Sequence, residues 1–147
     1  GSAGGEVMIL TCNFEELGAL RLGARAFLGE IPREGAHVVA PPEGQEEVED
    51  LLPRLSGDLT IETLAEQRFV LKAVSAIVTF LKVEMDLFIM SAHPADESAV
   101  SSYFHYAHAL AVQARLAEMG QEMEALIEIV TGEPATPEVA ATFRFPD

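Results

Sequence analysis

Cysteine is almost absent from this chain of 147 residues, because Cys12 is its only one. A single cysteine excludes an intrachain disulfide and a zinc site built on several cysteines. Chains without disulfides are typical of reducing compartments, so we expect a cytoplasmic protein. Cys12 precedes a predicted helix, where a thiolate can be stabilised. It has no second cysteine or histidine beside it in sequence, so we interpret it as a buried strand cysteine.

Basic residues are also few. Nine lysines and arginines stand against 24 aspartates and glutamates, which gives a formal net charge of −15. Such a chain repels phosphate backbones, so no nucleic-acid partner is expected. Hydrophobic residues nevertheless make up 49% of the chain. This combination predicts acidic outer faces above a large apolar surface that is buried within the chain or between subunits.

Long uncharged apolar runs are missing, and so are the common catalytic motifs. The best candidate for a membrane span is interrupted by Lys72, Lys82, Glu84 and Asp86, so no span is predicted. There is no glycine-rich phosphate loop, no nucleophile elbow and no zinc-protease helix motif. Catalysis is therefore the less favoured interpretation, and no cofactor is expected.

The longest periodic pattern runs from Leu64 to Met90, and the rest of the chain is organised around it. Thr63 and Glu66 form a capping-box pattern at its start. The polar residues of this predicted helix follow one narrow line, formed by Arg68, Lys72, Ser75, Thr79, Lys82 and Asp86. The remaining surface is more apolar than an ordinary surface helix presents. We expect the helix to be central in the domain or shared between subunits.

Glu84 breaks this pattern, because helical spacing places it among Ile77, Phe80 and Phe88. A carboxylate there must find a partner, rise in pKa or reach the rim of the core. It is a candidate proton-transfer or ligand-binding acid, and pairing with a neighbouring cation is the simpler alternative. With Glu84 as a polar handle, a pocket for a small molecule is predicted around Phe80, Met85, Phe88 and Met90.

A second long helix is predicted from Asp96 to Val130 after a break at His93 and Pro94. Its first half presents an apolar face that we expect to pack inward, formed by Val100, Tyr103, Phe104, Ala107, Leu110, Ala111 and Ala114. Its second half presents Leu116, Met119, Met123, Leu126, Ile127 and Val130. Because the connecting turn is short, we expect an antiparallel hairpin of Thr63–Ser91 against Asp96–Val130.

Two histidines on this second helix are candidate metal ligands. His105 and His108 are three residues apart, a spacing that lets two side chains share one ion, and Glu84 or Asp86 from the neighbouring helix would complete the shell. A solvated histidine pair is the simpler interpretation.

The flanking segments predict a minor sheet and shorter helices. Strands are predicted at Glu6–Cys12, Asp58–Glu62 and Thr142–Phe145, helices at Phe14–Leu28 and Gln45–Leu52, and a brief extended piece at His37–Ala40. The predicted fold is a helix-dominated α+β domain, with a long antiparallel helical hairpin, a shorter N-terminal helix and a two- or three-stranded sheet. Residues 1–5 are expected to be flexible and residues 6–147 to form one globular domain.

These patterns favour a non-catalytic interaction or assembly protein that self-associates through the apolar hairpin, most simply as a homodimer, with a further protein partner left open. Two alternatives remain. One is a metal-dependent or acid/base enzyme that uses Glu84, His105 and His108. The other is a small-molecule binding protein with a Phe- and Met-lined pocket.

Overall fold

A computed structural model of the protein describes residues 8–31, 43–91 and 97–144. Within these ranges the chain forms two short strands and five α-helices. In chain order they are β1 (Met8–Leu10), α1 (Phe14–Phe27), α2 (Gln45–Leu51), β2 (Leu59–Ile61), α3 (Leu64–Ser91), α4 (Glu97–Thr131) and α5 (Pro137–Thr142), with a 3-10 turn at Leu52–Arg54. The helix-dominated α+β prediction is confirmed. The predicted flexible start at residues 1–5 and the extended piece at His37–Ala40 lie outside the described residues.

The two long helices form the predicted antiparallel hairpin. Gln113 Nε2 donates to Ser75 Oγ at 3.0 Å. Further from the turn, Gln67 Nε2 donates to the carbonyl oxygen of Leu116 at 2.8 Å. From the first bond to the second, the residue number falls on α3, from Ser75 to Gln67, and rises on α4, from Gln113 to Leu116. The two helices therefore run in opposite directions. The second bond also gives the buried side-chain amide of Gln67 a partner, and burial of that amide without one would be costly.

The main core surrounds the first two thirds of α3. Helix α1 packs on one side, where the ring of Phe27 meets the edge of Phe80 with centroids 5.8 Å apart. Helix α2 packs on another side, where Lys72 Nζ forms an ion pair with Glu47 Oε1 at 2.9 Å. The buried apolar cluster ends at Leu81 on α3. The prediction of a central helix therefore holds for the first two thirds of α3.

Helix α1 is fastened to α4 by an ion pair. Arg115 Nη1 and Nη2 donate to the two carboxylate oxygens of Glu16 at 2.7 and 2.8 Å, and Nη2 also donates to the carbonyl of Thr11 at 2.8 Å. Glu16 also caps its own helix, because its carboxylate accepts from the backbone N–H of Asn13 at 2.9 Å. The two hydrogen bonds make this a bidentate contact, the stronger form of carboxylate recognition.

The sheet has two strands in the described part of the chain. β1 and β2 pair antiparallel, with Met8 opposite Ile61 and Leu10 opposite Leu59. The prediction of a third strand at Thr142–Phe145 is wrong over its described residues, because α5 continues to Thr142. Thr136 caps this helix by accepting from the N–H of Val139 at 3.2 Å, so the local capping signal prevails over the alternation that follows it.

The first half of α4 packs with a different face from the one predicted. Val100, Tyr103, Phe104 and Leu110 are exposed instead of buried. The buried positions are small residues, Ala99, Ser102 and Ala109, followed by Val112. Small side chains let the α3 and α4 backbones approach closely, which directs the large side chains outward. In the second half Leu116, Met119, Met123 and Ile127 are buried as predicted, whereas Val130 is exposed.

A close approach of α1 to α3 gives a paired prediction at two glycines of one helix. A Cβ at Gly23 would lie 2.6 Å from Cγ2 of Ile77, whereas a Cβ at Gly18 meets nothing within 4 Å. We expect Gly23→Ala to lower the free energy of unfolding by about 1–2 kcal/mol through overpacking. Gly18→Ala is expected to raise it by about 0.5–1 kcal/mol through helix propensity. Urea unfolding of both variants measures the two changes, and changes of the same sign would contradict this packing.

Candidate functional site: the hairpin arm

The far end of the hairpin extends beyond the main core. That core reaches Leu81 on α3, and on α4 its last buried member toward the turn is Ala109. Further out, Phe88 and Ala99 form a separate small buried cluster with Leu87 packed against it. We name residues 82–91 and 97–108 the hairpin arm. The arm therefore extends past the buried residues of the main core, and Tyr106 packs against that core at the base of the arm.

The arm presents large apolar side chains to solvent on both helices. Met90 is 83% exposed, and Tyr103 and Phe104 are each 54% exposed. Tyr103 and Phe104 contact each other edge to face, with ring centroids 5.7 Å apart. Val83, Ile89 and Val100 are also exposed. Exposed aromatic and methionine side chains gathered on one element mark interaction surfaces more often than they mark neutral surface.

The outer face of α4 also lacks charge. Between Ser98 and Ala114 the sequence contains no aspartate, glutamate, lysine or arginine. Ser101, Ala111 and Ala114 are exposed there beside the aromatic pair. This uncharged stretch is about 24 Å long at the α-helical rise. In a chain with a net charge of −15, such a face is the part that differs most from the general surface.

Glu84 is completely buried, with 0% of its surface exposed. The helical spacing places it among Ile77, Phe80 and Phe88, and all three are buried as well. The conflict between its position and its charge, inferred from the sequence, is therefore present in the folded chain. Glu84 makes interactions within the protein and is not without a partner.

The register of the hairpin brings Glu84 level with His105. Ser75 on α3 and Gln113 on α4 are hydrogen-bonded. Residue 84 lies nine positions closer to the turn than Ser75, and residue 104 lies nine positions closer to the turn than Gln113. Because both helices rise equally per residue, Glu84 stands at the height of residues 104 and 105. Nδ1 of His105 is buried, and His105 also has interactions within the chain.

His108 lies on the side of α4 that faces α1. The pKa of Glu16 is lowered first by hydrogen bonds from Arg115, and the nearby ring of His108 adds a smaller electrostatic contribution. His105 and His108 thus have different surroundings. Within residues 8–31, 43–91 and 97–144, no three His, Cys, Asp or Glu side chains are grouped to hold a metal ion. The metal role of the two histidines stays a prediction.

The predicted Phe- and Met-lined pocket has its residues in different settings. Phe80 is buried in the main core against Phe27, Met85 and Phe88 are buried, and Met90 is exposed. Two cavities lined by described residues lie elsewhere, beside α1. Ligand binding at Phe80, Glu84 and Phe88 stays a prediction.

Cys12 is buried as predicted, but it lies after β1, which ends at Leu10, and not within the strand. Burial raises the pKa of its thiol above the ordinary value, and the carboxylate of Glu16 raises it further. The thiol is therefore protonated at neutral pH, and the helix N-terminus beside it does not produce a reactive thiolate.

Comparison of the chain with protein-family models, with curated proteins and with solved structures finds no match. None of the helices described here combines the length and the apolar character needed to cross a bilayer.

Proposed function

We propose that this chain is a non-catalytic assembly protein and that the hairpin arm packs against the arm of a second copy. The observation that carries the proposal is the uncharged outer face of α4 between Ser98 and Ala114, on which Tyr103 and Phe104 are half exposed. Interface centres are depleted in charge and enriched in aromatic residues and methionine.

Charge favours the arm over other faces as the contact between two acidic copies. In residues 82–91 and 97–108 the acidic residues are Glu84, Asp86 and Glu97. Glu84 is buried, and Asp86 pairs with Lys82 at 3.1 Å. Two arms can therefore approach each other with little repulsion, while most of the 24 acidic residues remain elsewhere in each chain.

Geometry favours a second copy as the partner. The arm is an antiparallel helix pair with exposed apolar residues on both helices, such as Val83 and Met90 on α3 and Phe104 on α4. Two such pairs related by a two-fold axis bury the same patch on each copy and form a four-helix bundle. A reducing, cytoplasmic setting is part of the proposal, since the chain has a single cysteine.

The aromatic pair provides the test of this proposal. We expect the double variant Tyr103→Ser/Phe104→Ser to raise the dimer dissociation constant at least about 100-fold. Each ring is 54% exposed before association, so burying the rest contributes about 0.8–1.5 kcal/mol, and a two-fold dimer buries four such rings. Sedimentation equilibrium measures the constant, and circular dichroism verifies that the helices are retained.

Ile129→Ser is the matched control. Ile129 lies on the same helix outside the arm and is 80% exposed, more than either aromatic residue. We expect its dissociation constant to stay within about twofold of the wild-type value, because Ile129 lies roughly 39 Å along α4 from Tyr103 and so outside the proposed contact. Equal weakening by both variants, or a dimer that is insensitive to the arm variant, would place the contact on another face.

A further inference from the structure

A groove of about 590 Å³ runs along the outer side of α1. Its lining is largely apolar and comprises Phe14, Leu17, Gly18, Arg21, Leu22, Arg25, Ile31 and Ser56. The helical members recur every three or four residues, so they form one stripe along α1. Phe14, Arg21 and Arg25 are exposed on this stripe, whereas Leu17 and the nearby Ile31 also pack against the core. This volume lies within the range of small-molecule sites.

The charge of this groove is opposite to that of the chain. Arg21 and Arg25 are the only charged residues in its lining, although the net charge of the protein is −15. A neighbouring groove of about 410 Å³ shares Arg21, Arg25 and Ser56, and its lining also contains Glu30 and Glu49. The arginine pair therefore lies between two grooves, of which the larger is apolar and the smaller also contains carboxylates.

These two arginines differ from the other cations that the structure describes. Arg54, Arg68, Lys72, Lys82, Arg115 and Arg144 each form an ion pair with a carboxylate of the chain. Within residues 8–31, 43–91 and 97–144, the guanidinium groups of Arg21 and Arg25 form none. In a chain with many more acids than bases, two arginines one helical turn apart that form no ion pair with the described residues are suited to an anion from outside.

We propose that this groove binds an amphiphilic anion, with a carboxylate or phosphate head on Arg21 and Arg25 and a hydrocarbon body along Phe14, Leu17 and Ile31. Guanidinium groups match the planar oxygen pairs of such heads by forked hydrogen bonds. Phe14 is 87% exposed at one end of the stripe, and covering it with a hydrocarbon removes apolar surface from water. The site is separate from the hairpin arm and does not depend on self-association.

Calorimetric titration below the micelle concentration tests the proposal with three probes of equal chain length. We expect dodecanoate and dodecyl phosphate to bind, and dodecanol, which lacks the charge, to bind at least about tenfold more weakly. The relative affinity of the two anions identifies the preferred head. Equal binding of all three probes, or no binding of either anion, would overturn the proposal.

Variants locate the site. Arg21→Gln/Arg25→Gln is expected to weaken dodecanoate at least about tenfold, whereas Arg68→Gln, which removes an exposed cation paired with Glu124, is expected to change nothing. Gly18→Leu places a side chain in the groove where a Cβ meets no atom within 4 Å, so it is expected to block binding without unfolding the chain. Dodecanoate binding that is insensitive to both groove variants would overturn the assignment. A peptide of residues 118–131 carries the exposed Ile129 and Val130 of α4. If the protein bound this peptide in the groove and did not bind dodecanoate, the proposal would also be overturned, because the occupant would then be a second copy of the chain.

Discussion

Replacement of Glu16 by alanine is expected to lower the free energy of unfolding by about 2–4 kcal/mol. The side chain of Glu16 is 7% exposed and is held by both guanidinium nitrogens of Arg115. Its loss leaves Arg115 without a carboxylate and removes the cap on the N–H of Asn13, and breaking such a buried pair is strongly destabilising. Arg115 is 39% exposed, and solvent screening of its charge moves the expected loss toward the lower end of this range. Urea unfolding at pH 7 measures the change.

A surface ion pair of equal length provides the control. Arg144 and Glu62 also meet at 2.7 Å, but their side chains are 50% and 53% exposed. We expect Glu62→Ala to cost less than about 1 kcal/mol, because solvent screens the charges and little desolvation is involved. Similar losses from Glu16→Ala and Glu62→Ala would show that burial of the Glu16–Arg115 pair does not matter.

The same pair gives a dependence on pH. Hydrogen bonds from Arg115 hold the pKa of Glu16 below its ordinary value of 4.5. A lowered pKa in the folded state means that the stabilisation is fully present above pH 4.5 and is lost as the pH falls through the folded-state pKa. The stability difference between wild type and Glu16→Gln should therefore shrink below pH 4.5. A difference that stays constant down to pH 2 would contradict this linkage.

Glu84→Ala is the second substitution with a large expected effect, again a loss of about 2–4 kcal/mol. Glu84 is fully buried between the arm and the core and interacts with its surroundings. Truncation leaves a cavity and removes the interactions that Glu84 makes within the protein, and these two costs add. Urea unfolding at pH 7 is again the measurement, and Glu84→Gln separates the loss of charge from the loss of volume.

Asp86→Ala is the matched control for Glu84→Ala. Asp86 lies two residues further along the same helix, and its ion pair with Lys82 is solvated, with side-chain exposures of 55% for Lys82 and 49% for Asp86. We expect a loss below about 0.5 kcal/mol. If Glu84→Ala were equally mild, Glu84 would have no special structural role, and the acid/base and ligand-binding interpretations of this residue would lose their basis.

The helical period is sufficient to predict α3 and to place Glu84 on its apolar side, whereas the complete burial of Glu84 is a result of tertiary packing. The polar line from Arg68 to Asp86 fixes which side meets water, so the position of every other residue on the wheel follows. This inference needs no knowledge of the neighbours, because a helix 28 residues long averages over many positions.

The first half of α4 shows where the same reasoning fails. One side carries Ala99, Ser102 and Ala109, and the other carries Tyr103 and Phe104. Hydrophobicity alone selects the aromatic side for the core, whereas close packing against α3 selects the small residues. The misassigned aromatic residues are the exposed surface on which the proposed function rests.

Long-range electrostatic contacts were beyond local patterns. Asn13 and Glu16 stand at the spacing of a capping box, which is a local signal, but the ion-pair partner of Glu16 is Arg115, 99 residues away. The spacing of the groove residues could have indicated the site, because Phe14, Gly18, Arg21 and Arg25 follow one line on the predicted helix. That line becomes informative only when the ion pairs of the other described cations are known.

The mass of the wild-type protein in solution tests the central claim most directly. Sedimentation velocity from about 1 to 100 μM spans the dissociation constants expected of a modest helical interface. Self-association through the arm predicts a species of twice the 15.8 kDa of one chain, and this species should be lost in Tyr103→Ser/Phe104→Ser. A wild-type protein that stays at 15.8 kDa throughout this range would contradict the proposal.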